Sequence, residues 1–138
     1  MKLRQIVLAS TVVALSATAA QATTWRMATA YPEANFHTRN VNQFVQDIEQ
    51  GTEGKLKINV HAAGSLIKHP EIKNAVRSRQ IEMGEFLLST LANEHAVFAL
   101  ESVPFLATSY EQSAKMYEVS KPYLNEALGT QRLKVLYS

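Results

Sequence analysis

The residues that could do chemistry in this sequence fail the spacing tests for the common catalytic and metal sites. The four histidines lack the His-x-x-x-His spacing that puts two imidazoles on one helix face for a metal. Gly64-Ser65 lacks the second glycine of a nucleophile elbow, and no glycine-rich phosphate-binding pattern occurs. The absence of cysteine excludes a thiol nucleophile, a thiolate metal site and a redox pair. The sequence therefore predicts no catalytic set, no metal and no cofactor.

Two carboxylates, Glu82 and Glu85, could be taken for the acid–base pair of a hydrolase. Residues three apart on a strand point to opposite faces, so these two are not expected to share a site. Glu82 is interpreted as a solvated side chain. Glu85 lies at the carboxyl end of a predicted strand, where either a ligand-binding role or a solvated loop position is open.

The elements that must position these residues alternate between strand and helix. Apolar and polar residues alternate over 56–60, which is the pattern of a half-buried strand. Asn35 is placed to cap a helix that Gly51 ends, and Pro70 has the residue type favoured in a first helical turn. The predicted order is strand 24–30, helix 35–51, strand 56–60, a helix from Pro70, and strand 81–86.

The following residues predict more helix and one more strand. Ser109 and Gln112 have the spacing of a capping box, which opens a helix. The predicted elements are a short helix over 92–100, a helix from Ser109, a helix restarted at Pro122 and ended by Gly129, and a strand over 133–137. Strands alternating with helices imply right-handed crossovers. The predicted fold class is therefore α/β, with a mostly parallel sheet flanked by helices.

A parallel sheet also predicts where a ligand would bind. In open α/β sheets the ligand lies beyond the carboxyl ends of the strands, which places loops 30–36, 62–69 and 85–93 at one rim. These loops carry flat apolar side chains beside a few hydrogen-bonding groups, a mixture typical of small-molecule sites. The candidate ligand-binding residues are Tyr31, Asn35, Phe36, His37, Glu85, Ser89 and Asn93.

Several residues of this rim also have a simpler interpretation. His37, in a first helical turn, could donate to a carboxylate beside free helix amides, or it could be a cap or surface histidine. Tyr31 and Phe36 could form the walls of a cleft, or could pack under their own loop. Lys68 could attract an anion at the cleft mouth, although a solvated lysine is the simpler interpretation.

The first residues have the pattern of an export signal. Lys2 and Arg4 precede an uncharged apolar run over 6–20, and Ala20-Gln21-Ala22 supplies a small-x-small cleavage site. A retained membrane anchor is the alternative, although the run is short for a span of about 20 residues. Cleavage after Ala22 removes two of 14 basic residues and none of 12 acidic ones, so the mature chain has no net charge. Nothing in that balance indicates nucleic acid as a partner.

Beyond the export signal, an ordered set of segments resembles the periplasmic solute receptors of TRAP transporters, of the dicarboxylate-receptor type. The resemblance covers essentially all of the mature chain, and no single motif carries it. The segments are Trp25-Arg26-Met27-Ala28-Thr29, Tyr31-Pro32 with Phe36 and His37, Gly54-Lys55-Leu56, Ala63-Gly64-Ser65-Leu66, His69-Pro70-Glu71-Ile72, Gln80-Ile81-Glu82-Met83-Gly84-Glu85, Ser102-Val103-Pro104-Phe105-Leu106, and the predicted strand 133–137.

The resemblance implies a two-lobed periplasmic binding-protein-like fold that closes on a small organic acid and delivers it to membrane permease subunits. It implies that residues 1–22 are a signal peptide and that 23–138 form the first lobe, ending at the strand that crosses toward the second. The family's carboxylate-anchoring arginine would then lie beyond Ser138. The sequence departs from the family at Arg79, where such receptors often have glycine.

Two other functions stay open at this point. One is an exported hydrolase-like enzyme that uses Glu85 or His37, and the other is an interaction module. The receptor, which is non-catalytic, is favoured because the candidate residues cluster on one rim and no catalytic set exists.

Overall fold

A three-stranded parallel sheet organises the computed structural model, which describes residues 22–138. The predicted signal peptide and its cleavage site therefore lie outside the described residues, apart from Ala22. No helix among the residues described has the length and apolar character needed to cross a membrane. The elements are β1 (Thr23–Thr29), α1 (Phe36–Gly51), β2 (Leu56–His61), α2 (His69–Arg77), β3 (Met83–Glu85), two 3-10 helices (Leu88–Leu91 and Ala96–Ser102) and α3 (Tyr110–Gly129).

The central strand β1 pairs in parallel with β2 on one side and with β3 on the other. Its register aligns Thr23 with Leu56 in β2, and Thr29 with Glu85 in β3. The predicted α/β class with a parallel sheet is confirmed. Parallel pairing brings the carboxyl ends of all three strands to one edge of the sheet.

Helices cover both faces of this sheet. Neighbouring residues of β1 point to opposite faces, so each face of the strand packs against a different helix. Met27 packs with Val41 and Val45 of α1, whereas Ala28 packs with Ile72 and Ala75 of α2. The predicted N-cap of α1 is also confirmed. Asn35 Oδ1 accepts a hydrogen bond from His37 N at 2.9 Å, which satisfies a free amide of the first turn.

A glycine allows α2 to approach β3 closely. A Cβ added at Gly84 would collide with Ile72 Cγ2 and would lie 3.1 Å from Val76 Cγ2. Ile72 is fully buried, so it has little room to move away. The small residue therefore sets the distance between this helix and the strand that carries Glu85.

A separate apolar cluster forms in the second half of the chain. Phe98 of the second 3-10 helix packs with Leu124, Ala127 and Leu128 of α3. Within residues 22–138, no residue of the sheet, of α1 or of α2 belongs to this cluster. The described chain thus has two packing units, one around the sheet and one around α3.

Several predicted elements differ in the structure. The strand predicted over 81–86 is only Met83–Glu85, because Ile81 is buried among residues of α2 instead of extending the ladder. The helix predicted over 92–100 is replaced by the two 3-10 helices. Pro122 does not restart a helix but lies inside α3, where burial of Leu124 and the residues after it outweighs the lost backbone hydrogen bond.

The strand predicted over 133–137 was also wrong. A strand needs a neighbour to complete its hydrogen bonds, and in the described part of the chain no ladder forms along this segment. Its apolar residues pack against side chains instead. Leu133 and Val135 contact the α3 cluster, and the Tyr137 ring lies 4.9 Å from that of Phe44.

The close approach at Gly84 gives a test of this packing. Replacing Gly84→Ala should lower the free energy of unfolding by about 1–3 kcal/mol, because the added methyl overpacks the α2–β3 contact. Chemical denaturation measures the loss. Gly51→Ala is the matched control, since a Cβ there meets nothing within 4 Å. Equal effects of the two variants would contradict the steric argument.

Arg79, which stands where similar receptors often have glycine, allows a test of backbone strain. Arg79 has φ +60°, a left-handed conformation that costs a residue with a Cβ roughly 1–2 kcal/mol. Arg79→Gly should therefore raise the free energy of unfolding by about 0.5–1 kcal/mol, after the greater unfolded-state entropy of glycine is subtracted. Ser78→Gly, at φ −82°, should lower it. A loss of stability in both variants would argue against strain at Arg79.

Candidate functional site

The three loops predicted to share a rim do meet in the structure. Gly64 N donates to the carbonyl oxygen of Thr29 at 3.0 Å, and Ala63 N donates to that of Tyr31 at 2.9 Å. On the other side, Leu87 N donates to His69 Nε2 at 3.1 Å. These contacts join the loop after β2 to the end of β1, and the loop after β3 to the start of α2.

Thr29, the last residue of β1, holds Glu85 in place. Its Oγ1 donates to Glu85 Oε2 at 2.5 Å and accepts a hydrogen bond from Tyr31 N at 3.2 Å. Thr29 is fully buried and directly opposite Glu85 in the strand register. The hydroxyl therefore fixes both the carboxylate and the start of the following loop.

His37 faces the other oxygen of this carboxylate. Its Nδ1 lies 3.4 Å from Glu85 Oε1, close enough for an ion pair when the imidazole is protonated. The ring stacks on Tyr31 with centroids 4.3 Å apart and 15° between the planes, and lies 4.1 Å from the ring of Phe36. Three flat rings and a carboxylate thus form one continuous surface, which we call the rim group (Tyr31, Phe36, His37 and Glu85).

Five of the seven candidate residues are brought together around this surface. They are the four members of the rim group and Asn35, which caps α1 through its side-chain oxygen. Phe36 is 59% exposed, so it does not pack under its loop. Ser89 lies half-buried on the first 3-10 helix and Asn93 is exposed just after it. Among the described residues, no hydrogen bond or ring contact links either of them to the rim group.

Sequence reasoning missed two residues near this site. Thr29 could have been found from its position as the last residue of a buried strand at the rim. Tyr137 carried no such signal, because its segment was predicted as a strand. Burial of its ring raises the pKa of Tyr137, and the negative charge of Glu85 raises it further, so the two side chains lie within electrostatic range.

Glu82 is exposed, as interpreted from the sequence, and it also has a charged partner. Arg26 donates to Glu82 through its backbone N at 2.8 Å and through its guanidinium at 3.3 Å. These hydrogen bonds from Arg26 hold the pKa of Glu82 below its ordinary value. Glu82 precedes β3 and Glu85 ends it, and the two carboxylates have separate partners.

The rim group has the chemistry of a binding surface. Its rings can stack on a flat ligand, its carboxylate can accept hydrogen bonds, and the first turn of α1 presents free amides beside His37. Within residues 22–138, no group of three or more histidine, aspartate or glutamate residues is placed to hold a metal ion. A groove of about 730 Å³ lies elsewhere, between the second 3-10 helix and α3, and no member of the rim group lines it. The rim group is therefore an open face.

Comparison with known proteins adds an independent line of argument. Residues 27–137 match the family described as bacterial extracellular solute-binding protein, family 7. Among solved structures, the chain is 47% identical to DctP6 of Bordetella pertussis, with a TM-score of 0.81. It is 38% identical to DctP7 of the same organism and 39% identical to a TRAP solute-binding protein from a marine metagenome, with TM-scores of 0.80 and 0.82.

These three structures are all described as receptors that bind pyroglutamic acid or pyroglutamate. The similarity covers 83–85% of this chain but only 38% of each of theirs. The chain therefore spans well under half the length of the receptors it matches. No curated protein matches it.

The two hydrogen bonds of Thr29 predict a loss of stability in a variant that removes the hydroxyl. Thr29→Val leaves the amide of Tyr31 and an oxygen of Glu85 without their partner, which should cost about 1–3 kcal/mol in the free energy of unfolding. Thr29→Ser keeps the hydroxyl and loses one methyl, worth about 0.8 kcal/mol. Chemical denaturation compares the two. A valine variant as stable as the serine variant would contradict the assigned role of the hydroxyl.

Proposed function

The chain belongs to family 7 of the bacterial extracellular solute-binding proteins, and from this premise we propose that it forms one lobe of a TRAP-transporter receptor. The receptor is extracytoplasmic, captures a small organic acid and passes it to the membrane permease subunits. The observation that carries the proposal is the rim group, because it is a preformed, partly exposed binding face at the carboxyl edge of the sheet.

The ligand that fits this face is a flat ring with a hydrogen-bond donor, and pyroglutamate is such a molecule. Its lactam N–H can donate to Glu85, while the lactam ring lies against the rings of Tyr31 and His37. The charge of Glu85 repels a ligand carboxylate, so the carboxylate should point away from it. Three receptors at 38–47% identity, all described as binding pyroglutamate, support this choice.

Capture by this face needs a second wall. The side chain of His37 is 38% exposed, so a ligand on the rim group would keep one side in water. Charge-assisted hydrogen bonds become stronger when water is excluded, so closure of a second lobe would add affinity that the first lobe lacks. The function is therefore binding and delivery, without a catalytic step.

A chimera tests this function with a complete cleft. Residues 27–137 of this chain replace the matching part of Bordetella pertussis DctP6, which supplies the rest of the receptor. We expect the chimera to bind pyroglutamate in calorimetry. A concentration of about 100 times the dissociation constant should stabilise it by about 2.7 kcal/mol in thermal unfolding. Cyclopentanecarboxylate, which lacks the N–H donor, should bind much more weakly.

Two substitutions in the chimera test the role of Glu85 independently of the receptor function. Glu85→Gln removes the charged acceptor and should weaken pyroglutamate binding about 10-fold or more. Glu82→Gln is the matched control, because that carboxylate is paired with Arg26 and should leave the affinity unchanged. A folded chimera that binds no organic acid would overturn the function. Equal affinities in the two variants would overturn the role of Glu85 alone.

A further inference from the structure

Lys73 is a buried cation that the proposed ligand contacts do not use. It lies on α2, and its side chain is only 7% exposed. A lysine so deeply buried is uncommon, since removing an ammonium group from water is costly unless it is paired.

Its partners form a closed polar triangle. Lys73 Nζ donates to both carboxylate oxygens of Glu94 and, at 3.0 Å, to Gln131 Oε1. Gln131 Nε2 in turn donates to Glu94 Oε2 at 3.2 Å. The hydrogen bonds from Lys73, followed by that from Gln131, hold the pKa of Glu94 below its ordinary value. The carboxylate is therefore ionised within the triangle at neutral pH.

The three residues come from the two separate packing units of the chain. Lys73 belongs to the sheet unit, whereas Glu94 lies between the two 3-10 helices and Gln131 lies in the turn after α3. The apolar clusters of the two units share no residue. Besides the ring contact between Tyr137 and Phe44, these directional hydrogen bonds link the two units and can fix their relative position.

The chain connects this junction to the rim through residues 88–93. The first 3-10 helix begins three residues after Glu85, and Glu94 directly follows Asn93. The segment 88–93 is thus held at one end by β3 and at the other by the triangle.

We propose that Lys73, Glu94 and Gln131 form a polar junction that positions segment 88–93 beside the rim group, which makes Lys73 a positioning residue for ligand capture. The part of this proposal that concerns capture rests on the proposed function. The junction itself does not, since it concerns the chain without ligand.

The test compares paired with single substitutions in the 138-residue chain. Glu94→Met alone leaves the buried ammonium of Lys73 without its anion and should lower the melting temperature strongly. Lys73→Met combined with Glu94→Met should recover most of that loss, because apolar pairs often replace buried ion pairs without a cost in stability. The matched control is Lys57→Met with Glu49→Met, a pair that is 3.6 Å apart and exposed.

Hydrogen exchange distinguishes a local loosening of residues 88–95 from a change in the stability of the whole chain. In the Lys73→Met/Glu94→Met variant we expect amides of 88–95 to exchange about 10-fold faster than in the parent, with α1 unchanged. The control pair should exchange like the parent. Unchanged exchange at 88–95 in the paired variant would overturn the junction. If that variant does not fold, the exchange comparison is made with Gln131→Leu, which removes the two hydrogen bonds of Gln131 and leaves the ion pair intact.

The chimera tests the part that concerns capture. The paired variant, placed in the chimera, should bind pyroglutamate about 10-fold more weakly at near-parental melting temperature. Faster exchange with unchanged affinity would overturn the role in capture and keep the junction. A parent chimera that binds no acid is a failure of the proposed function, and the exchange measurement still decides the junction.

Discussion

The parallel pairing of β1 with both of its neighbours is the constraint on which the site depends. Because all three strands run in one direction, the loops that follow them leave from one edge of the sheet. The register then puts Thr29 opposite Glu85, so that a hydroxyl at the end of one strand can hold a carboxylate at the end of the next. Without this alignment, His37 and Glu85, which are far apart in sequence, would have no reason to meet.

Close packing at Gly84 and the polar partners of Glu85 both support that alignment. Gly84 lets α2 approach β3 closely, and the residue after it is Glu85. Glu85 has few ways to satisfy its charge, since its polar partners are the hydroxyl of Thr29 and the imidazole of His37. A carboxylate held in this way is an acceptor with limited freedom.

The second half of the chain is organised by a different kind of contact. Phe98 and α3 build their own apolar cluster, and the polar triangle of buried Lys73 with Glu94 and Gln131 connects it to the sheet unit. Apolar contacts are strong but have little directional preference, whereas hydrogen bonds specify geometry.

The sequence alone determined the α/β class, the N-cap at Asn35, the common rim and all four members of the rim group, because these depend on local periodicity and on the general geometry of parallel sheets. Only the tertiary structure decided how those residues are used. Thr29 became part of the site through strand register, Glu82 found Arg26 across the sheet, and residues 133–137 lacked the ladder that their alternation predicted. Each of these outcomes depends on a partner distant in the chain, and hydrophobic patterning within a segment carries no information about which distant partner is present.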